Sequence, residues 1–84
     1  MHTITGISDH LNTLINNLLA YDTMMAMKLP ESQIDKDVKS KGEAAEKELI
    51  KMGIIDADAD GMFVEPDALK GEAKIAAQWL KDNI

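Results

Sequence analysis

The chain has 84 residues, no cysteine, no arginine, and 15 acidic side chains against nine lysines, giving a formal charge of −6. Disulfide and thiolate chemistry are thereby excluded. Nucleic-acid binding is disfavoured, because grip on phosphates and guanine edges relies on arginine and on positive charge. A chain this short reads as a single domain over residues 1–84 with a modest core, which a partner, a metal or a second copy would be expected to reinforce.

The first predicted element runs from about Ser8 to Lys28. Ser8 is a candidate N-cap, and Asp9 sits where the helix dipole favours negative charge. Leu11, Leu14, Ile15, Leu18, Leu19, Met24 and Met25 recur at helical spacing and form a wide apolar surface. Pro30 ends the segment, since proline disfavours the helical conformation in the residue before it. The N-terminal residues lack a basic region followed by an apolar stretch, so no signal peptide is expected. No apolar run approaches the ~18 residues of a membrane span, and the expectation is a cytoplasmic protein.

The second predicted segment extends from Pro30 or Ser32 to about Met52. Ile34 and Val38 share a face, and Ala45, Leu49 and Met52 continue as a buried stripe. Ser40-Lys41-Gly42-Glu43 has the form of a capping box. With Gly42 inside it, this sequence predicts a break in which one helix ends near Lys39 and another begins after Ser40. Gly53 is expected to close the segment as a C-cap glycine.

Ile54 to Glu65 carries β-branched and aromatic residues around an acidic turn, which suits a short β-hairpin or two extended arms. The last segment, Pro66 to about Asn83, is predicted helical, with Leu69, Ala73, Ala76 and Leu80 in a stripe beside Trp79. Gly71 is expected to weaken its first turns. The fold class is therefore mainly α, with three to four helices in a small bundle and one short β-hairpin or acidic loop near residues 54–65.

Two constellations carry the functional expectations. Asp56-Ala57-Asp58-Ala59-Asp60-Gly61-Met62-Phe63-Val64-Glu65-Pro66-Asp67 resembles the calcium loop of the EF-hand family, a likeness confined to these residues. The resemblance implies calcium held by the carboxylates of Asp56, Asp58, Asp60 and Asp67 and by the Met62 carbonyl, with Gly61 turning the chain. Aspartate at the last position is one carbon shorter than the usual glutamate, Pro66 stands beside it, and no second such loop exists. The same letters also read as a solvated turn.

The second constellation is Met24, Met25 and Met27 with Leu18 and Tyr21. Methionine adapts to varied surfaces, and at about 100° per residue these three cannot all face one core. Leu18, Tyr21, Met24, Met25 and Met27 are therefore candidate partner-binding residues, toward another protein or in a homodimer.

Catalytic motifs are lacking. His2 and His10 stand near the N-terminus, no serine sits in a nucleophile motif, and no glycine-rich phosphate loop follows a strand. The order of elements also suits a winged helix that would bind DNA through Lys41, Lys47 and Lys51. Glu43, Glu46 and Glu48 on the same segment, and an acidic wing, oppose phosphate contact. The expected function is accordingly that of a small acidic protein-binding module, not an enzyme and without a resident cofactor. It would act as an adaptor, a subunit or a compact inhibitor of the phage or mobile-element type on a basic or apolar surface of another protein. A calcium-responsive module is the alternative, and a winged-helix DNA binder the lesser one.

Overall fold

The computed structural model describes residues 3–56 and 62–83. Three α-helices dominate it: α1, Asp9–Ala26; α2, Lys36–Lys51; and α3, Glu72–Asn83. Two short strands, β1 (Ile55–Asp56) and β2 (Met62–Phe63), pair antiparallel between α2 and α3, with Ile55 opposite Phe63 and Asp56 opposite Met62. Val64 N–H donates to the Ile54 carbonyl at 3.0 Å and prolongs this pairing. The turn expected between the strands, residues 57–61, lies outside the described residues.

The helix ends follow local chemistry. The Ser8 hydroxyl accepts a hydrogen bond from Leu11 N–H at 3.2 Å, which satisfies one of the free donors of the first turn of α1. The helix stops at Ala26, two residues before the expected end. Lys28 takes a left-handed conformation, φ +53°. Pro30 forbids a helical Leu29, and the chain reverses through Lys28 instead.

A 3-10 turn, Glu31–Gln33, leads to Asp35, whose carboxylate accepts from Asp37 and Val38 N–H and caps α2. Gly53, φ +81°, lets the chain leave α2. Its N–H donates to the Ile50 carbonyl, and Ile54 N–H donates to the Leu49 carbonyl, both at 3.0 Å. This is the Schellman arrangement, and its apolar closure is complete because Leu49 and Ile54 are both fully buried.

The expected break at Gly42 is corrected by the structure, since α2 runs unbroken from Lys36 to Lys51. The capping-box letters at Ser40 are not used as a cap, because Asp35 already supplies one. Gly42 serves close packing: a Cβ built there would fall 2.6 Å from Tyr21 Cγ and 2.8 Å from Cδ2. Only glycine admits the Tyr21 ring at this level. The turn that a winged-helix order needs at Gly42 is consequently not formed. Gly71 likewise lies before α3 and not within it, and the segment from Pro66 starts with a 3-10 turn, Pro66–Ala68.

The core gathers Leu11, Leu14, Ile15 and Leu18 of α1, Ala45 and Leu49 of α2, Ile54 and Ile55, and Ala76, Ala77 and Leu80 of α3. Ile4 completes it from the N-terminal segment. Asn12 holds that segment in the manner of a strand partner: its Oδ1 accepts from Ile4 N–H at 2.8 Å, and its Nδ2 donates to the Ile4 carbonyl at 3.1 Å. The Glu72 carboxylate accepts from Ser8 N–H at 2.9 Å and ties the starts of α1 and α3 together. Among the described residues no helix is long and apolar enough to cross a membrane.

Two stability predictions follow from these packing details. Gly42→Ala gains helix propensity of about 1 kcal/mol but sets its Cβ against the Cβ and ring of Tyr21, and because a Cβ cannot rotate away the two helices must shift, at about 1–3 kcal/mol for overpacking. Net destabilisation in urea unfolding is expected, and its size should shrink in a Tyr21→Gly background, which removes both the ring and the Cβ that position 42 would meet, because the two sites couple. Lys28→Gly should stabilise the chain by up to about 1 kcal/mol in the same measurement, by relieving a left-handed conformation that a side chain disfavours.

Candidate functional site: the tip of the α1–α2 hairpin

Helices α1 and α2 run antiparallel, and Tyr21 on Gly42 fixes their register. On the core side of this contact the facing residues are buried. Beyond it the picture changes: from Leu19 to Lys41 no residue is buried. The apolar stripe of α1 nevertheless continues. Leu18, Tyr21 and Met25 follow one another at intervals of three and four on one face, with Asp22 beside them. Leu18 is 5% exposed and belongs to the core, Tyr21 is half-buried, and Met25 is 51% exposed.

The candidate partner residues are thus graded along the hairpin. Leu18 lies inward and Tyr21 at the boundary. Met24 is half-buried, whereas Met25 and Met27 are open, Met27 at 63%. Leu29, Ile34 and Val38 are half-buried around them. The sequence reading did not assign these three to the site, although the shared face of Ile34 and Val38 was the available signal. The polar rim is made of exposed pairs, Lys41 Nζ to Asp37 at 3.1 Å and Lys39 Nζ to Glu31 at 3.9 Å. Solvated pairs of this kind add little stability.

Charge is divided unevenly along the chain. Between Leu19 and Gly42 the four acidic residues Asp22, Glu31, Asp35 and Asp37 are matched by Lys28, Lys36, Lys39 and Lys41, so the tip is formally neutral. The entire −6 belongs to the remaining residues. Asp22 stands at the border of the two zones. Partial burial raises its carboxyl above the ordinary value of 3.8, and the charge of Glu46 on α2 adds to the rise.

The acidic loop is described only at its flanks. Asp56 is exposed and faces Met62 across the strand pair. Asp67 is exposed in the 3-10 turn, 4.0 Å from Lys74 Nζ. Asp58, Asp60 and Gly61 lie outside the described residues. In an EF-hand the helices flank the loop directly. Here α2 ends at Lys51 and α3 begins at Glu72, with a strand and a 3-10 turn intervening. Among the described residues no group of three or more histidine, aspartate or glutamate side chains is placed to hold a metal ion.

Away from the tip, a concavity of about 610 Å³ lies between Thr3–Thr5 and α3, lined by Ile4, Ile75 and Trp79 together with Lys74, Gln78 and Asp82. Comparison with protein-family models, curated proteins and solved structures finds no match for the chain.

The raised Asp22 carboxyl has a signed consequence. A carboxyl that holds its proton more tightly when folded makes stability fall as pH rises from 3.8 through the raised value, and the penalty is fully present at neutral pH. Asp22→Asn should therefore raise the melting temperature at pH 7, followed by Trp79 fluorescence. The gain should vanish below pH 3.8, where the carboxyl is protonated in both states.

Proposed function

We propose that this protein is a small protein-binding module, an adaptor, subunit or inhibitor, that docks through the tip of its α1–α2 hairpin. The observation that carries the reading is the exposure of Met25, 51%, where the buried stripe of α1 outruns the core, with Met27, the C-cap residue, 63% exposed on another side of the helix end. Methionine is unbranched and polarizable, and it fits partner surfaces of varied shape. Apolar side chains gathered at one end of a small chain favour an interface, with Leu29, Ile34 and Val38 as its partly covered floor. The acidic body would act at longer range. It would steer the tip away from acidic surfaces and toward basic or neutral ones.

Replacing both Met25 and Met27 by glutamate tests this reading. Both positions are exposed, so the far-ultraviolet spectrum and the Trp79 melting curve should stay those of the unmutated chain. Partner affinity should fall at least tenfold, about 1.4 kcal/mol, as expected for loss of central apolar anchors. Equal partner recovery by the tagged unmutated chain and the double variant would overturn the assignment of the tip.

A further inference from the structure

We propose that Met25 and Met27 are sites of reversible oxidation by peroxide, through which the hairpin tip is switched from apolar to polar while the fold is kept. In its effect on docking this rests on the tip reading above; as chemistry it stands without it. The chain has no cysteine, so thioethers are its only sulfur groups. Among the described methionines the sulfurs fall into different settings. Met25 and Met27 are 51% and 63% exposed at the end of α1. Met52, at the end of α2, packs against the core, and Met24 is half-buried. At about 100° per residue, Met25 and Met27 lie on different sides of the helix end, so each meets a small oxidant independently.

The step needs only hydrogen peroxide. The sulfur lone pair attacks one peroxide oxygen, and the O–O bond breaks. A sulfur–oxygen bond forms, the thioether gives up two electrons, and the second oxygen leaves as water with both protons. The product, a sulfoxide, is polar where the thioether was apolar.

The consequence depends on place. At Met25 and Met27 the added oxygen meets solvent, so folding loses little. At Met52 it would bring a polar group into contact with the core. At the tip it removes the adaptable apolar side chains on which docking relies. The same exposure leaves each sulfoxide accessible to the reductases that return it to thioether, one for each epimer, with a dithiol as reductant.

Peptide mapping of the unmutated chain during treatment with hydrogen peroxide is the primary test. Oxygen should appear at positions 25 and 27 at least about threefold faster than at position 52. Equal rates would overturn the proposal. The species carrying oxygen at positions 25 and 27 alone is then separated by chromatography and melted. Its midpoint should stay within about 4 °C of the unmodified chain, as for solvent-facing changes, and a larger fall would show that these sulfurs belong to the packed body. Sulfoxide reductases of both epimer classes should restore both positions in the folded chain; reduction only after unfolding would refute reversibility. Docking is judged apart. Partner recovery by the doubly oxidised species should drop at least about tenfold and return on reduction. Recovery unchanged by oxidation yet lost with Met25→Glu and Met27→Glu would overturn the switch and leave the tip reading intact. Recovery unchanged by either would end the tip reading and the switch together, whatever the mapping shows.

Discussion

The seat of the Tyr21 ring on the bare backbone of Gly42 governs the rest of the molecule. It sets how closely α1 and α2 approach and in which register they run. With that register fixed, Leu14, Leu18, Ala45 and Leu49 fall inside, and the next turn of each helix is carried past the reach of α3 and the N-terminal segment. One steric match therefore produces both a closed core and an open end. A larger residue at position 42 would have to spread the two helices or rotate one of them. Either movement would take the apolar stripe of α1 away from its partners. Core and tip are, in this sense, two outcomes of the same contact.

Much of the helical architecture is legible in the letters, and the reasons differ from element to element. Ser8 and Gly53 could be read because capping chemistry is local: a hydroxyl three residues before a free N–H, and a glycine where the chain must turn left-handed. Gly42 could not be read locally. Its neighbours spell a cap, and its actual role depends on a tyrosine far away in sequence that packs across from it. Asp35, the cap that is used, was hidden because Pro30 and Ser32 offered earlier starts. The Asn12–Ile4 pairing was also out of reach, since a side-chain amide standing in for a strand has no periodic signature.

The candidate site divides in the same way. Methionines crowded at a helix end point to an interface from sequence alone, yet the letters do not reveal that Leu18 faces inward while Met25, on the same face, does not. That distinction depends on where α2 and α3 stop covering α1, which is a matter of tertiary reach. The neutral charge between Leu19 and Gly42 could be counted at once from the sequence. It acquires meaning only when the fold gathers those residues at one end. The acidic stretch is bordered by β1 on one side and by β2 and a 3-10 turn on the other, while the residues that carry its likeness to a calcium loop lie mostly outside the described ones.

The amide clamp on Ile4 has a consequence for how the molecule breathes. Residues 3–7 are bound to the body by two hydrogen bonds from the Asn12 side chain, by the buried Ile4 and by the half-buried Ile7, which packs against the core. Such a segment can lift away while the helices stay paired, as one of the small cooperative units that open below the cost of global unfolding. Hydrogen exchange at the Ile4 amide then reports that partial opening, whereas exchange at Leu49 and Ile54 reports the collapse of the whole. Each lifting event exposes one flank of the core and the Ile75 side of α3 to solvent. Asn12, Ile4 and Ile7 together set what that opening costs.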